Sequence, residues 1–370
     1  MTNDPNELLL QRVTQARTLL HSLAGPERIR EEDRRRSAYV DYYNGRVLQY
    51  SGRPDEAVQR LKQGLPEIMK FGDPEAQLLT SFAIGKSLAC QGAFEQASKV
   101  LAELTQSPTF QGDPGECSRS LSYYAMALAG AGRYREALHQ LERGLALAHQ
   151  ANQPFLVGMF QLTRAGAHVV AADWPAVLSV ATPILEIAKR AAEKVFHYLT
   201  WDLIAWSESN LGQHELALAH RTHARAMRKS LGGGMVSDWF EAAEAEILLN
   251  AGRNEEAMRQ AQAVVAVAQG ANLPFSHAVA MRVLACAFSR IGGELHAADE
   301  YFQTAIAVAQ AYGQVVNVAL TEVWWGRILR ERGHQVAAVS HFKAGIQILE
   351  DAGCDYASKQ ARRHADGQSI

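Results

Sequence analysis

Apolar residues along this chain recur at helical spacing in successive stretches, and short turns separate the stretches. In one typical pair, residues 118–129 carry apolar side chains at helical spacing, Ala131-Gly132-Arg133 forms a turn, and residues 134–150 are helical again. Glycine suits the end of a helix because it adopts the left-handed conformation without a penalty from a Cβ atom. No stretch shows the alternation of a strand. The sequence therefore predicts an all-α fold.

The turn is part of a pattern that recurs eight times, at intervals of about forty residues. A small residue is followed five positions later by alanine or valine, in the pairs Gly52/Ala57, Gly92/Ala97, Gly132/Ala137, Ala172/Val177, Gly212/Ala217, Gly252/Ala257, Gly292/Ala297 and Gly333/Ala338. A second small residue precedes each turn by seven positions: Gly45, Gly85, Ala125, Ala165, Ala205, Ala245, Ala285 and Gly326. Such self-similarity indicates an array whose units bury their apolar faces by stacking on neighbours. The first helix of each pair must pack closely where the second small residue lies.

These positions resemble the tetratricopeptide repeat superfamily, which has a small residue in helix A, a turn glycine and an alanine in helix B. The resemblance covers about residues 37–350. The long unit is similar to the repeats of MalT-like bacterial activators and of the C-terminal regions of bacterial signalling ATPases and nucleotide cyclases. HEAT repeats have a comparable length, but the paired small positions favour tetratricopeptide. The resemblance implies a right-handed α-solenoid of about eight forty-residue helix-turn-helix repeats with an extra N-terminal helix.

We expect three regions along the chain. Residues 1–36 form a capping helix and linker, because leucines recur at helical spacing over residues 8–23 and terminal units generally cover an exposed face. Residues 37–352 hold the eight repeats. Residues 353–370 turn polar and are expected to fray.

Bulk composition narrows the class of protein. The net charge of −2 provides no global field for nucleic acid or an acidic membrane, and no stretch approaches the ~20 apolar residues of a membrane span. The four cysteines form no CxxC pair, so a reducing, cytoplasmic setting is expected. No arrangement of residues suggests a catalytic nucleophile, an acid–base pair, a metal site or a cofactor site, and we expect a protein that is not an enzyme.

In tetratricopeptide arrays the first helix of each pair lines a concave groove. Helical geometry then predicts the side chains that face it: Tyr39, Tyr42, Arg46, Phe82, Lys86, Arg119, Met126, Met159, Asp202, Trp206, Trp239, Glu246, Arg282 and Arg327. Aromatic and arginine residues most often anchor a bound partner. Arg46 and Lys86 occupy the same position in adjacent repeats, where they would form a cationic patch suited to a carboxylate or an acidic peptide. The alternative is an ordinary mixed surface.

The middle of the array departs from its own pattern. Four residues before the turn, six repeats have an apolar residue, whereas repeats 4 and 5 have His168 and Glu208. Arg164 lies one turn before His168, and Glu244 takes the matching place in repeat 6. Inward polar groups need partners because an unpaired buried charge is costly. These four residues predict either a polar ligand pocket or pH-sensitive joint, or a structural ion-pair seam between adjacent repeats.

The leading functional hypothesis is an adaptor or regulatory module that binds a protein or peptide in its groove. The main alternative is a sensor of a small molecule or peptide that changes shape or self-association, as the MalT-like resemblance implies. An enzyme accessory or a hidden enzyme is a third. A closed pocket around repeats 4–6 would favour the sensor, and an open groove with exposed Tyr42, Phe82, Trp206 and Trp239 would favour the adaptor. The oligomeric state stays open.

Overall fold

The computed structural model describes residues 31–71, 73–191, 194–229, 234 and 236–368, together with residues 11, 12, 15, 16, 18 and 19. Most of the N-terminal helix expected before repeat 1 lies outside these residues. From residue 31 onward the described chain forms seventeen α-helices, one 3-10 helix and no strand, which confirms the all-α prediction. None of the described helices is both long and apolar enough to cross a membrane.

The helices follow one another through short turns. In chain order they are α1 (Glu31–Tyr50), α2 (Pro54–Phe71), α3 (Pro74–Gln91), α4 (Phe94–Gln106), the 3-10 helix (Pro108–Gln111), α5 (Pro114–Gly130), α6 (Tyr134–Gln150), α7 (Pro154–Val170), α8 (Trp174–Ala191), α9 (Lys194–Asn210), α10 (His214–Lys229), α11 (Ser237–Asn250), α12 (Asn254–Gly270), α13 (Pro274–Arg290), α14 (Leu295–Ala311), α15 (Val315–Glu331), α16 (Gln335–Asp351) and α17 (Asp355–Ala365).

Consecutive helices from α1 to α16 pair into helical hairpins that stack side by side, numbered from hairpin 1 (α1 and α2) to hairpin 8 (α15 and α16). The first helix of each hairpin contacts both its own partner and the first helix of the next hairpin, in the series α1, α3, α5, α7, α9, α11, α13 and α15. The hairpins therefore form a single solenoid, because each one buries its apolar face against its neighbours along the chain.

The small positions predicted from sequence lie at close helix–helix contacts. A Cβ atom on Gly45 would lie 2.5 Å from Cγ of Leu61, and one on Gly85 would lie 2.5 Å from Cγ of Leu101. The turn positions also behave as predicted: Gly92 has a φ of 91°, and Ala172, which replaces glycine in repeat 4, still takes a left-handed φ of 53°. The close contacts at the small residues and the left-handed turns both depend on residues within one repeat, so the repeat pattern was enough to predict them.

The C-terminal segment corrects one expectation. The polar composition of residues 353–370 predicts fraying, but residues 355–365 form α17, which packs against α15 and α16 as the first helix of another hairpin would. Ala357 and Ala361 are buried on its inner face, and Arg330 of α15 donates a hydrogen bond to the carbonyl oxygen of His364. The small apolar face at a spacing of four residues gives this polar segment enough burial to dock.

The solenoid also turns back on itself. Helix α5 contacts α15, and Trp239 donates from Nε1 to the carbonyl oxygen of Cys90 at 2.8 Å. Next to this bond, the rings of Trp239 and Phe275 stack with centroids 3.9 Å apart, and Phe94 meets both rings edge-on. Hairpins 2 and 3 therefore touch hairpins 6 to 8, and protein side chains fill the interior at these contacts.

Candidate ligand-binding cavity and interior polar contacts

The aromatic residues expected on an open groove are buried. Tyr42, Phe82, Trp206 and Trp239 are 7%, 4%, 3% and 4% exposed, and Met126 is buried with them. Trp239 is covered by Phe275 where the solenoid closes. These side chains contact other parts of the protein and do not form the open groove surface that the adaptor hypothesis needs.

Three of the predicted groove residues bind one another. Arg282 donates to Glu246 at 2.9 Å, and Trp206 donates from Nε1 to the same carboxylate at 3.0 Å. The Arg282 and Glu246 side chains are 3% and 4% exposed. Arg282 also donates to Asn317 at 3.3 Å, and Asn317 donates to Gln314 at 2.9 Å. A buried polar chain thus links hairpins 5 to 8, and the well-aligned partners offset the cost of burying the charges.

Asp202 is part of a second buried network. It accepts a hydrogen bond from Arg221 at 2.6 Å, and both side chains are almost fully buried. Arg221 also pairs with Glu241 at 3.2 Å and Glu244 at 2.8 Å. Burial raises the pKa of Asp202 to about 6, although the charge of Arg221 opposes the shift.

The four residues of the predicted polar pocket are divided among separate contacts. His168 meets the hydroxyl of Tyr134 through Nδ1 at 2.6 Å. Glu208 pairs with His220 at 2.7 Å, and Glu244 belongs to the Arg221 network. Arg164 acts on His168 electrostatically: burial, followed by the charge of Arg164, lowers the pKa of His168 to about 4. The structure therefore brings Arg164 and His168 together and places the two glutamates elsewhere.

The predicted cationic patch forms a small pocket with a volume of about 20 Å³. The residues that line it are Arg46, Tyr50, Phe82, Lys86, Arg119, Ser122, Tyr123, Met159 and Thr163. Five of these nine belong to the predicted groove: Arg46, Phe82, Lys86, Arg119 and Met159. Tyr39 of hairpin 1 lies outside the pocket and donates to Asp73 at 2.5 Å.

Lys86 is one of the most deeply buried residues of this pocket and is 4% exposed. Its Nζ is 4.7 Å from the ring centroid of Tyr50 and 5.4 Å from that of Tyr123. Cation–π contacts contribute about 2 kcal/mol at desolvated sites, whereas burying an ammonium costs several kcal/mol, so the rings offset only part of the cost. Burial accordingly lowers the pKa of Lys86, against the opposing effect of Tyr50.

A much larger cavity, of about 420 Å³, is lined by residues of hairpins 4 to 8 and of α17. One wall includes the turns of hairpins 4 to 6, at Ala172, Gly212 and Gly252. Residues of α15 and α17 form another part of the lining. A cavity of this size is within the range that takes a drug-sized ligand.

One position of the repeat supplies much of the polar lining. The residue two before the turn glycine lines the cavity in each of hairpins 5 to 8: Asn210, Asn250, Arg290 and Glu331. Arg290 and Glu331 form a bidentate pair at 3.0 and 2.8 Å. Gln360 of α17 also lines the cavity, and its Oε1 is buried without a hydrogen-bond partner. Asn210 already donates to the carbonyl oxygen of Trp206 and to Glu246, and Asn250 donates to Ser209. The side-chain oxygens of these amides can accept from a ligand.

The charge of the cavity is positive. Three arginines line it, Arg290, Arg327 and Arg330, against the single carboxylate of Glu331. Cζ of Arg327 lies 3.8 Å from the ring centroid of Trp324, and burial followed by the charge of Arg290 lowers the pKa of Arg327 to about 10. Burial and the same cationic surroundings lower the pKa of His364 to about 4, so His364 is neutral at pH 7. An anion in this cavity would therefore be attracted.

Of the predicted groove residues, only Arg327 lines the large cavity. Arg290, Arg330 and the lining residues of α17 were not predicted from the sequence. A signal was present, because polar residues recur two positions before the turn in four consecutive repeats. The α17 residues were missed because the polar composition of that segment is typical of a fraying tail.

The described residues hold no group of three or more histidine, cysteine, aspartate or glutamate side chains placed to bind a metal ion. Cys90, Cys117, Cys286 and Cys354 are free and buried. Burial raises the pKa of Cys90, Cys286 and Cys354 to about 12. Thiols in this state are poor nucleophiles.

The fold has clear counterparts among solved structures. A Rap protein complexed with competence and sporulation factor matches with a TM-score of 0.53 at 12% sequence identity, over 90% of this chain and 100% of that one. This chain has a tetratricopeptide-repeat fold. The apo form of RapI matches with a TM-score of 0.49 at 11% identity, over 100% of this chain and 96% of that one. At these identities the likeness concerns the fold alone.

A third similar structure is a signal transduction ATPase with numerous domains from Pyrococcus horikoshii, which has a tetratricopeptide repeat sensor. It matches with a TM-score of 0.47 at 14% identity, over 98% of this chain and 55% of that one. No protein-family model matches the chain, and no curated protein matches it either.

Proposed function

We propose that this tetratricopeptide protein is a regulatory module that binds an anionic peptide in the cavity of hairpins 4 to 8. One observation carries the proposal: a cavity of about 420 Å³ is lined by three arginines and one glutamate. The positive charge and low-dielectric walls attract a carboxylate, and a guanidinium can bind it through two parallel hydrogen bonds.

The neutral lining favours a peptide over a simple anion. Asn210, Asn250 and Gln360 line the cavity, and their side-chain oxygens can accept hydrogen bonds from the N–H groups of a peptide backbone. Trp324 and Tyr356 add flat apolar surface for side chains. The similar Rap structure contains competence and sporulation factor, a separate molecule bound to the same fold.

The interior contacts favour the sensor over an adaptor with an open groove. The aromatic residues that an open groove would expose are buried, and the turns of hairpins 4 to 6 line part of the cavity. A protein whose acidic terminus enters the cavity would use the same chemistry, so the adaptor differs only in the source of the carboxylate.

Binding can be tested on the full chain with a pool of short synthetic peptides that end in a free carboxylate, and with the same pool ending in a carboxamide. We expect the carboxylate pool to raise the melting temperature and to quench tryptophan fluorescence, and the amidated pool to bind about tenfold more weakly or worse. Arg327→Gln should lose the difference between the pools. The matched control is Arg253→Gln, an exposed arginine in the turn of hairpin 6.

Equal binding of both pools, or an unchanged preference in Arg327→Gln, would contradict the proposal. A partner protein with an acidic C-terminus that binds when free peptides do not would support the adaptor in its place.

A further inference from the structure

We propose that the small pocket around Lys86 is a second binding site, separate from the cavity, for a single oxyanion group of the carboxylate or phosphate type. The pocket and the cavity share no lining residue. The site therefore does not depend on the function proposed for the cavity.

Three cations from three different helices meet at this pocket. Lys86 comes from α3, Arg46 from α1 and Arg119 from α5. Two rings stand against the ammonium group, those of Tyr50 and Tyr123. The described residues that line the pocket include no acidic side chain. The fold thus concentrates positive charge at one point on its inner surface.

The existing partners neutralise only part of that charge. Arg119 pairs with Glu116, which is not one of the residues that line the pocket. Arg46 donates to the neutral hydroxyls of Tyr42 at 2.7 Å and Tyr50 at 3.1 Å. Among the described side chains, the three cations of the pocket therefore share one carboxylate, and that carboxylate binds Arg119.

Other buried cations of this chain are each paired with a carboxylate of the protein. Arg282 has Glu246 at 2.9 Å, and Arg221 has Asp202 at 2.6 Å. Within the described residues Lys86 forms no ion pair with a carboxylate, although it is as deeply buried as these two arginines. Arg282 and Arg221 each have a carboxylate partner from the protein itself. At Lys86 a bound ligand would provide the carboxylate or phosphate group.

The pKa of Tyr50 responds to the positive charge of this pocket. Burial opposes ionisation of its hydroxyl, but the charges of Lys86 and Arg46 outweigh burial and lower the pKa of Tyr50 to about 8. The residue is 45% exposed, so the pocket has an opening beside it. An anion bound at Lys86 would cancel part of this field and return the pKa of Tyr50 toward its usual value.

The size of the pocket sets the class of ligand. Its volume of about 20 Å³ exceeds the ~10–15 Å³ that one water molecule needs. One oxygen atom of a carboxylate or phosphate group can therefore enter the pocket, and the rest of the group must lie in the opening beside Tyr50.

The test uses the full chain and follows the ultraviolet absorbance of tyrosinate, with Tyr50→Phe subtracted to isolate Tyr50. Sodium acetate, sodium phosphate and sodium chloride are compared at equal ionic strength. We expect acetate or phosphate to raise the pKa of Tyr50 from about 8 toward ~10, and chloride to do so least. Which of the two acts at lower concentration identifies the source as carboxylate or phosphate.

Lys86→Met should abolish the anion effect, and Arg46→Gln should weaken the anion about tenfold. Lys99→Met is the control, because Lys99 is an exposed lysine of α4 that pairs with Glu95. An equal response to all three salts, or an anion effect that persists in a folded Lys86→Met protein, would overturn the site. If Lys86→Met does not fold, Arg46→Gln decides the question. Anion binding as tight in Arg46→Gln as in the wild type would then overturn the site.

Discussion

Gln314 donates a hydrogen bond from Nε2 to the carbonyl oxygen of Gly92 at 3.0 Å, although 222 residues separate them. Gln314 precedes α15, and Gly92 forms the turn of the second hairpin. Gln314 is fully buried, and it also accepts from Asn317 in the polar chain that reaches Glu246. The closure of the solenoid and its interior polar chain are therefore one connected structure.

The closure can be tested at Gly92. A Cβ atom there would lie 2.5 Å from Cβ of Phe275, across the closure. Gly92→Ala should lose about 1–2 kcal/mol for the left-handed conformation, and about 1–3 kcal/mol more for the overpacked contact. Urea unfolding measures the loss.

The matched control for Gly92 is Gly292, which has a nearly equal φ of 93°. A Cβ atom on Gly292 would have no neighbour within 4 Å. Gly292→Ala should therefore lose only the conformational part. Equal losses for the two variants would show that the closure contributes nothing to stability.

The buried pair of Glu246 and Arg282 should be sensitive to removal of one partner. Glu246→Ala leaves Arg282 without its carboxylate, and Trp206 loses its acceptor. We expect a loss of about 3–5 kcal/mol in the free energy of unfolding. The double variant Glu246→Leu/Arg282→Leu should lose less than Glu246→Ala, because no charge stays buried.

An exposed glutamate provides the comparison for this pair. Glu256 pairs with Arg253 on the surface, and Glu256→Ala should leave the denaturation midpoint unchanged. If Glu246→Leu/Arg282→Leu is less stable than Glu246→Ala, the cost of an unpaired buried Arg282 is not what destabilises the single variant.

His168 should make the fold less stable in acid. Its folded pKa is about 4, whereas histidine in an unfolded chain titrates near ~6.5. Between these values the unfolded chain binds a proton that the folded chain does not, so stability falls as the pH falls. The loss should reach about 3 kcal/mol near pH 4. His168→Gln should remove this dependence when unfolding is measured across the range.

Asp202 acts in the opposite direction over part of the same range. Its folded pKa of about 6 lies above the unfolded value of ~3.9, so the folded chain binds the extra proton and stability falls as the pH rises from about 4 to 6. Asp202→Asn should therefore steepen the net acid sensitivity that His168→Gln reduces. If both variants follow the wild-type curve, neither group titrates as the structure indicates.

The small positions of helix A should not tolerate enlargement. Gly85→Ala places a Cβ atom 2.5 Å from Leu101 and should cost about 1–3 kcal/mol. Gly270, at the end of α12, has no neighbour within 4 Å. Gly270→Ala should therefore stabilise the chain by about 0.4–1 kcal/mol. Thermal unfolding of the two variants tests the packing, and a neutral Gly85→Ala would contradict it.

The candidate site was predictable in part. Helical geometry predicted Trp206, Glu246, Arg282, Arg46, Lys86 and Arg119 on one face of the array, and in the structure the first three are in contact and the last three line one pocket. It could not show that the first three residues bind each other. The position of a residue on a helix gives the direction of its side chain, but it does not give the residue that the side chain contacts on another helix.

The sequence by itself determined the repeat, its two helices and its turns, because each depends on small residues and glycines a few positions apart. Only the tertiary structure decided which inner surface stays open. A slight rotation at each hairpin accumulates along the array, and it brings Gly92 against Phe275, while residues of α17 line one side of the cavity. That rotation is the sum of many contacts between hairpins, so no single stretch of the sequence specifies it.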